Sequence, residues 1–373
     1  MAIRILLNGL GRDTGPTGIC RVAANHASAL ARGKVAEHLL LAVGAWQEEM
    51  YRSLLGAVAN EVELVTANIK NSSLSRNRWF AAEVPRLAKK FSPSLVHYSF
   101  PAPVIRRSFE CPVVVTLHDL YPYDLPANFG FPNYFFNRMI LRQSLNSVDG
   151  IACVSNATKS RLLEIFPGPA GRAAVEVTGN YVKVSNSGRE PSGLAERLNG
   201  LPFILSVAQH RKNKNLDILI RAYARLLKSG RTSCQLLIVG ARGPETELLT
   251  SLAKSLDVSG KIIFQHAISD AELSWLYRHC MLFAASSSIE GYCLPVAEAL
   301  LHDARVLCSD IAILRDIAGE QAAYFSLKGD AVENLATAME AAMGRPTAAH
   351  ALGDRFSEEA VLAAYCRLYA RVC

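Results

Sequence analysis

Short apolar runs rich in Val, Ile and Leu alternate along this chain with longer segments that have a helical pattern. Such alternation is typical of α/β proteins, because parallel strands are buried on both faces and therefore read as continuous apolar runs. The predicted strands are Ile3–Asn8, His38–Val43, Glu61–Val65, Leu95–Tyr98, Pro112–Leu117, Gly150–Val154, Ala174–Thr178, Phe203–Val207, Gln235–Val239, Lys261–Phe264, Met281–Ala284 and Arg305–Cys308.

The alternation is interrupted by residues 183–201, which are rich in Gly, Ser, Pro and charge and are predicted to be an interdomain linker. A length of 373 residues suits two domains, each able to bury its own core. We therefore expect doubly wound Rossmann-like domains over residues 1–182 and 202–356. Residues 357–373 are predicted to form an amphipathic helix that could pack against either domain, including a return to the N-terminal one.

Composition excludes several other classes of protein. Half of the residues are apolar and a fifth are charged, which is typical of a globular protein. The sequence has no apolar run long enough to span a membrane and no N-terminal signal-peptide pattern, so a cytoplasmic protein is expected. The nine cysteines are scattered without a C-x-x-C pair, which favours structural roles over a disulfide framework or a metal site.

Positive charge is concentrated between Lys70 and Arg107, a stretch that contains eight basic residues and a single acidic residue, Glu83. Trp79, Phe80 and Phe91 lie among them. This pattern fits contact with an anionic membrane surface, and it equally fits a solvated helix face. Nucleic acid is disfavoured as a partner, because no recognised nucleic-acid motif accompanies the basic residues.

Candidate site residues in the first half follow predicted strands. Glycines between Gly9 and Gly18 precede a helix and would let backbone N–H groups approach an anion, although their spacing differs from the dinucleotide fingerprint and disfavours a nicotinamide or flavin enzyme. A flexible surface loop is the alternative. His118 follows the strand PVVVTL, where it could be a hydrogen-bond partner, an acid or base, or a structural residue of the loop.

The segment QHRKNKN, residues 209–215, lies between a predicted strand and a helix. Its three cations, Arg211, Lys212 and Lys214, suit a diphosphate, since arginine offers a two-pronged donor and lysine a point charge. A charged, solvated turn is the alternative. In doubly wound sheets, ligands bind beyond the carboxyl ends of the strands, which favours the binding role.

The most informative motif is SSSIEGYCLPVAEAL, residues 286–300, in which Glu290 and Glu298 flank a loop that enters a helix. Pro295 is well tolerated near the first helical position. Backbone N–H groups from Gly291 to Leu294 could contact a phosphate or sugar, and Glu298 could accept hydrogen bonds from ribose hydroxyls.

The Glu–seven residues–Glu pattern resembles the signature of retaining GT-B glycosyltransferases, glycosyltransferase family 4. The glycine loop ending Thr17-Gly18-Ile19, TLHDLYPYDLP and SVAQHRKNKNLDILIRAYARL match the same family in the same order, and VDGIACVSNATKSRL and FQHAISDAELSWLYRHC add further matches. The resemblance implies two Rossmann-like domains facing across a cleft, with the acceptor on the N-terminal domain. It also implies catalytic roles for His118, Arg211, Lys214 and Glu290, and donor contacts from Gly18, Ala267, Ile268, Gly291, Tyr292, Cys293, Leu294, Pro295 and Glu298.

The resemblance further implies transfer, with retention, of mannose or another hexose from a GDP- or UDP-linked sugar to a glycan or lipid-linked acceptor in polysaccharide biosynthesis, such as that of lipopolysaccharide. No cofactor is expected. The chain has no Asp-x-Asp pair, so metal-independent activity is predicted. A soluble acceptor, and a nucleotide-sugar-binding protein without transferase activity, remain alternatives. An enzyme working at the inner face of the membrane would explain the basic stretch.

Overall fold

The computed structural model describes residues 3–126, 130, 132–184, 188–266, 268–345 and 349–373. The chain forms two compact units, residues 1–182 with 354–373, and residues 183–353. Each unit contains one parallel sheet covered by helices. The predicted fold class, two Rossmann-like doubly wound domains, is confirmed.

The sheet of the first unit has the order β3-β2-β1-β4-β5-β6-β7, with every neighbouring pair parallel. Leu6 of the first strand faces one apolar cluster, while Ile5 and Leu7 face another on the opposite side of the sheet. Burial on both faces explains why these strands read as continuous apolar runs. The strands are β1 (Ile3–Asn8), β2 (Ala36–Gly44), β3 (Glu63–Ala67), β4 (Leu95–Tyr98), β5 (Val113–Leu117), β6 (Gly150–Cys153) and β7 (Ala174–Val177).

Helices connect these strands on both faces of the sheet. They are α1 (Gly18–Arg32), α2 (Glu48–Leu55), α3 (Ser73–Arg78), α4 (Val84–Phe91), α5 (Tyr121–Asp124), α6 (Asn133–Leu145), α7 (Asn156–Ile165) and α8 (Pro167–Arg172). A π-helical turn, Trp79–Glu83, joins α3 to α4.

The second unit repeats the arrangement, with the strand order β10-β9-β8-β11-β12-β13. Its strands are β8 (Phe203–Val207), β9 (Gln235–Val239), β10 (Ile262–Gln265), β11 (Leu282–Ala285), β12 (Val306–Ser309) and β13 (Ala322–Phe325), and β13 is absent from the sequence prediction. Its helices are α9 (Leu194–Leu198), α10 (Leu216–Lys228), α11 (Thr246–Ser255), α12 (Asp270–His279), α13 (Leu294–Leu301), α14 (Ala312–Ala318) and α15 (Ala331–Met343).

The segment predicted as a linker is partly folded onto the second unit. Leu194 and Leu198 of α9 are buried. The Gln235 amide donates hydrogen bonds to the carbonyl oxygens of Arg197 and Leu198, at 2.9 and 3.0 Å. These contacts fix the second half of the segment to the second unit. The predicted linker, residues 183–201, is therefore longer than the part of the segment that lacks such contacts.

The last helix, α16 (Glu358–Val372), belongs to the first unit, where it packs against β6, β7 and α1. Its Tyr369 hydroxyl lies 2.7 Å from Nδ1 of His97 and 2.9 Å from Nε2 of His26. All three side chains are buried. This polar network, together with an Arg32–Glu358 ion pair at 2.6 Å, fixes the helix to the unit that contains the chain's first strand.

The aromatic residues of the basic stretch belong to the core of the first unit. Phe80 is 3% exposed, and Trp79 and Phe91 pack against the same apolar cluster. The basic side chains differ, since Lys70, Arg78, Arg86, Lys89, Lys90 and Arg107 are exposed. A surface contact of this stretch would therefore be made mainly by cations, together with Leu74, which is 82% exposed. Within the described part of the chain, no helix has both the length and the apolar character needed to cross a bilayer.

Candidate active site

The candidate residues of the second unit converge at the switch point of its sheet. Residues 209–215 follow β8 and residues 286–290 follow β11, and these strands are neighbours where the strand order reverses. Two asparagine amides join the segments. Asn213 donates to the Ile289 carbonyl at 3.2 Å, and Asn215 donates to the Ser286 carbonyl at 3.1 Å. In doubly wound sheets, ligands bind at this position.

An ion pair lies at the centre of this junction. Lys214 Nζ is 2.5 Å from Glu290 Oε1, and the two side chains are only 20% and 5% exposed. The Ser287 hydroxyl donates to the same carboxylate oxygen at 2.6 Å. Burial, the largest single influence, lowers the pKa of Lys214, but the remaining contributions, led by attraction to Glu290, together raise that pKa above its ordinary value. Lys214 therefore carries its charge at neutral pH.

The other two cations of the turn have different environments. Arg211 donates to the Gln209 side chain at 2.9 Å and is close enough to Lys214 to lower the pKa of that lysine. Lys212 is exposed. The surroundings of Arg211, unlike those of the exposed Lys212, therefore favour a role beside Lys214.

Cys293 connects the ion pair to the following helix. It adopts a left-handed backbone conformation, with φ of 67°, at the N-cap of α13, and Pro295 lies in the first turn. Burial raises the pKa of the Cys293 thiol, as does the nearby Glu290 carboxylate, so the thiol is neutral. No acidic residue occupies the first turn of α13, and the carboxylate near the positive end of this helix is that of Glu290.

Glu298 lies on α13, where its Oε2 accepts a hydrogen bond from the Tyr277 hydroxyl at 2.8 Å. Tyr277 is 1% exposed, and its ring stacks on His302. Burial raises the pKa of Tyr277 well above its ordinary value, and Glu298 adds to the effect. The phenol is therefore a permanent donor that orients the carboxylate.

The remaining donor candidates of this unit fall in two segments, one between Glu290 and Glu298 and one after β10. Gly291, Tyr292 and Leu294 are half-buried between Glu290 and Glu298. Ile268 is half-buried after β10 and immediately precedes Ser269, whose side chain caps α12. Ala267 lies outside the described residues.

Two candidates belong to the first unit, again near the switch point of its own sheet. Gly18 is exposed at the start of α1 and ends the loop that follows β1. The loop is held by side chains: the Tyr51 hydroxyl donates to the Gly9 carbonyl, and the Gly11 N–H donates to Gln47, both at 2.9 Å. The glycine loop is thus anchored at its start and ends in a helix N-terminus.

His118 follows β5, and its Nε2 lies 2.8 Å from the Ser99 carbonyl oxygen after β4. A carbonyl only accepts, so Nε2 carries the proton and Nδ1 is an acceptor. Burial lowers the pKa of His118 to about 4, so the ring is neutral at physiological pH. Asp119 accepts a hydrogen bond from the Tyr121 N–H at 3.0 Å, which orients the loop.

The structure thus brings Arg211, Lys214, Glu290, Cys293 and Glu298 together in one unit. Sequence reasoning missed the residues that position them. All of them lie within the segments quoted above, Tyr277 in FQHAISDAELSWLYRHC and the flanking amides and serines in the two motifs that contain the candidates: Asn213, Asn215, Ser286 and Ser287. Among the residues described, no group of three or more His, Cys, Asp or Glu side chains is arranged to hold a metal ion.

Two family descriptions match the chain, "Glycosyltransferase Family 4" over residues 16–182 and "Glycosyl transferases group 1" over residues 195–359. Together they cover most of both units. The chain belongs to the GT-B glycosyltransferases of the family 4 type.

Two curated sequence relatives match only part of the chain. O-antigen chain mannosyltransferase B of Escherichia coli is 26% identical over 210 residues, which are 56% of this chain and 55% of that protein. A Campylobacter jejuni enzyme, N-acetylgalactosamine-N,N'-diacetylbacillosaminyl-diphospho-undecaprenol 4-alpha-N-acetylgalactosaminyltransferase, is 32% identical over 138 residues, 36% of this chain and 34% of the enzyme. The matches thus span about half or less of the length of these relatives.

Solved structures share the fold over nearly the full length. WaaG, a glycosyltransferase involved in lipopolysaccharide biosynthesis, has a TM-score of 0.68 at 17% identity, covering 98% of this chain and 96% of WaaG. Anabaena HepE, solved with UDP and glucose, has a TM-score of 0.67 at 16% identity, covering 99% and 95% of the two chains. At these identities the likeness concerns the fold.

Proposed function

We propose that this protein transfers a hexosyl group, with retention of anomeric configuration, from a nucleoside diphosphate sugar to a glycan or lipid-linked acceptor in surface polysaccharide biosynthesis. The observation that carries the proposal is the buried Lys214–Glu290 ion pair at the loop that enters α13. A cation and a carboxylate at one sheet edge fit a ligand that is anionic at one end and polyhydroxylated at the other.

Transfer requires the sugar–phosphate bond to break, so negative charge grows on the departing diphosphate. Lys214 and Arg211 would stabilise that charge, which is usually a dominant catalytic contribution. Glu290 would accept hydrogen bonds from the sugar hydroxyls. Glu298, oriented by Tyr277, would accept hydrogen bonds from the ribose.

The first unit would contribute Gly18 beside the diphosphate and His118 beside the donor sugar. Since Nδ1 of His118 accepts and Nε2 is bound to Ser99, the imidazole is suited to receive a hydrogen bond from a sugar hydroxyl. Its low pKa excludes a positive charge near the developing oxocarbenium ion at neutral pH.

The donor is proposed to be GDP-mannose, with a UDP-hexose as the competing choice. Support for mannose comes from the relatives named mannosyltransferases, and support for UDP comes from the HepE complex. A panel of nucleotide sugars tests this through thermal unfolding, because a ligand bound to the native state raises the unfolding temperature by mass action. NMR of the product then gives the anomeric configuration, and an inverted product would contradict the proposed retention.

Metal independence is part of the proposal, with Lys214 and Arg211 taking the role of a metal clamp. Turnover should persist in excess chelator. Complete loss that returns on adding Mg²⁺ or Mn²⁺ would contradict this part of the proposal while leaving transfer itself intact.

The acceptor is proposed to be lipid-linked, with the protein working in the cytoplasm at the inner face of the membrane. The exposed cations of the Lys70–Arg107 stretch support this, since basic residues are attracted to anionic lipid by about 1 kcal/mol each near the surface. The name of the Campylobacter relative, which contains a diphospho-undecaprenol acceptor, is consistent with it.

A further inference from the structure

A polar cavity in the first unit is lined in part by the residues that precede Gly18 in the sequence. Its walls are the second half of the glycine loop and the segment that enters α3 after β3. Its lining includes Arg12, Asp13, Thr17, Asn71, Ser73 and Arg76. The donor roles proposed above use none of these side chains.

Two arginines share this cavity with one carboxylate. Asp13 accepts hydrogen bonds from Arg12 at 3.3 Å and from the Thr17 hydroxyl at 3.1 Å. Arg76 donates to neutral groups, the Asn71 side-chain oxygen at 2.5 Å and the Ser73 hydroxyl at 3.3 Å. The cavity thus carries a positive charge in excess, located on Arg76.

The surroundings of Arg76 are unfavourable for its charge. Burial lowers the pKa of Arg76, and the nearby Arg12 lowers it further, while the Asp13 carboxylate opposes them only in part. An anion placed between the two guanidinium groups would reduce the repulsion between Arg12 and Arg76. Each guanidinium group offers paired N–H donors whose geometry matches the oxygens of a phosphoryl group. The hydroxyl of Ser73, which accepts a hydrogen bond from Arg76, lies on the same wall and offers a further donor.

We infer that this cavity is a binding subsite for a phosphoryl group carried by the acceptor. The inference rests on the proposed function, in which Lys214 and Arg211 of the second unit already serve the donor diphosphate. A separate pair of arginines beside the glycine loop then serves a second phosphate. That phosphate belongs either to a diphosphate-linked lipid or to a soluble glycosyl phosphate, and the chemistry of recognition is the same for both.

The first experiment measures binding of inorganic pyrophosphate to the full chain by calorimetry in the Lys214→Ala background, which weakens the donor diphosphate site. Arg12→Met and Arg76→Met, each added to this background, should weaken pyrophosphate binding at least about tenfold, as expected for loss of a charge-assisted contact. Arg86→Met is the matched control, because Arg86 is an exposed arginine on α4, paired with Glu83 at 2.6 Å. Equal affinities in all three variants, or no pyrophosphate binding in the background, would overturn the subsite.

Nucleotide binding separates this outcome from failure of the proposed function. UDP and GDP stabilisation of the otherwise wild-type protein should survive Arg12→Met and Arg76→Met. If neither nucleotide nor nucleotide sugar binds the wild-type chain while pyrophosphate binding still depends on Arg76, the subsite stands and the transferase proposal fails. If nucleotides bind the wild-type chain but pyrophosphate affinity is unchanged by Arg12→Met and Arg76→Met, the subsite fails and the transferase proposal stands.

The second experiment distinguishes the two sources of the phosphate. Transfer is compared for an undecaprenyl-diphosphate-linked sugar, a soluble glycosyl phosphate and an unphosphorylated methyl glycoside of the same sugar. The wild-type protein should favour one phosphorylated acceptor by at least about tenfold in kcat/KM, and Arg76→Met should remove that preference while leaving the rate with the methyl glycoside unchanged. A preference that persists in Arg76→Met would overturn the assignment.

Discussion

The Lys214 ammonium and the Glu290 carboxylate lie 2.5 Å apart in a site that is largely shielded from water. The two groups that the proposed mechanism assigns to opposite ends of the donor therefore neutralise each other within the protein. A diphosphate competes with Glu290 for Lys214, and sugar hydroxyls compete with Lys214 for Glu290. Donor binding in this arrangement exchanges one set of charge-assisted contacts for another, which reduces the desolvation cost on both sides.

Replacing Lys214 by Ala should lower kcat by about 10²–10³-fold, the usual cost of removing one preorganised group that stabilises transition-state charge. Lys212→Ala is the matched control, because Lys212 belongs to the same turn but is exposed. Steady-state kinetics with the donor found in the nucleotide-sugar panel would measure both. Equal effects at the two positions would contradict the specific role of Lys214.

The same substitution also removes the cation beside a carboxylate that is 5% exposed. We expect Lys214→Ala to lower the free energy of unfolding by about 1–3 kcal/mol, less than the loss seen for fully buried pairs. Lys214→Met with Glu290→Gln removes both charges and should recover most of that loss without recovering turnover. Urea unfolding of the three proteins separates the structural from the catalytic contribution.

Tyr277→Phe tests the positioning of Glu298, since it removes the 2.8 Å hydrogen bond and keeps the buried ring. We expect KM for the donor to rise several-fold with a smaller change in kcat, because Glu298 is proposed to hold the ribose in both ground and transition states. In a Glu298→Gln background the same change should have a much weaker effect. Equal effects of Tyr277→Phe in both backgrounds would show that the phenol acts independently of Glu298.

The sheet architecture follows from the sequence because parallel strands buried on both faces leave an unambiguous apolar signal. β1, β4, β8 and β9 have the predicted bounds. The missed strand, β13, has the sequence AAYF and three half-buried residues at one edge of the sheet. An edge strand of this composition owes its conformation to pairing with β12, which local sequence does not encode.

The candidate site could be predicted only where its residues share a short motif. Glu290 and Glu298 lie eight positions apart in one loop-helix segment, so the motif places them together. Tyr277 comes from α12, and its contact with Glu298 depends on how α12 packs near α13. The packing of Trp79 and Phe91 against the core could not be predicted from the sequence either, because interleaved aromatic and basic residues also occur on membrane-binding surfaces.

Acid should destabilise the first unit through its buried histidines. Burial lowers the pKa of His26 to about 3 and also lowers that of His97, while Tyr365 and Tyr369 pack around both rings without supplying a negative charge. The unfolded chain takes up these protons near pH 6.5, so stability is complete above that pH and falls as the pH is lowered towards 3.

For His26 alone, the loss between pH 7 and pH 5 is on the order of 2 kcal/mol. Urea unfolding at both values measures it, and His26→Gln should reduce the difference even if the variant is less stable overall. His38→Gln is the control, because His38 is exposed on the surface. A pH dependence that is identical in the wild-type protein and His26→Gln would remove His26 as its source.

Binding to anionic membranes should depend mainly on charge, because the aromatic side chains Trp79, Phe80 and Phe91 pack in the core while Lys89 and Lys90 are exposed. Sedimentation with vesicles containing about a third phosphatidylserine should retain the protein at low salt and release it at about 0.5 M salt, where the Debye length is only a few ångströms.

Lys89→Glu with Lys90→Glu should weaken this binding by about tenfold or more, since each basic residue contributes about 1 kcal/mol at such a surface and reversal adds repulsion. Lys254→Glu, an exposed lysine on α11 outside the stretch, should have little effect. Binding that resists salt would indicate apolar insertion, for which Leu74 is an exposed side chain of the same stretch. Absence of binding at low salt would leave the basic residues as a solvated face and favour a soluble acceptor.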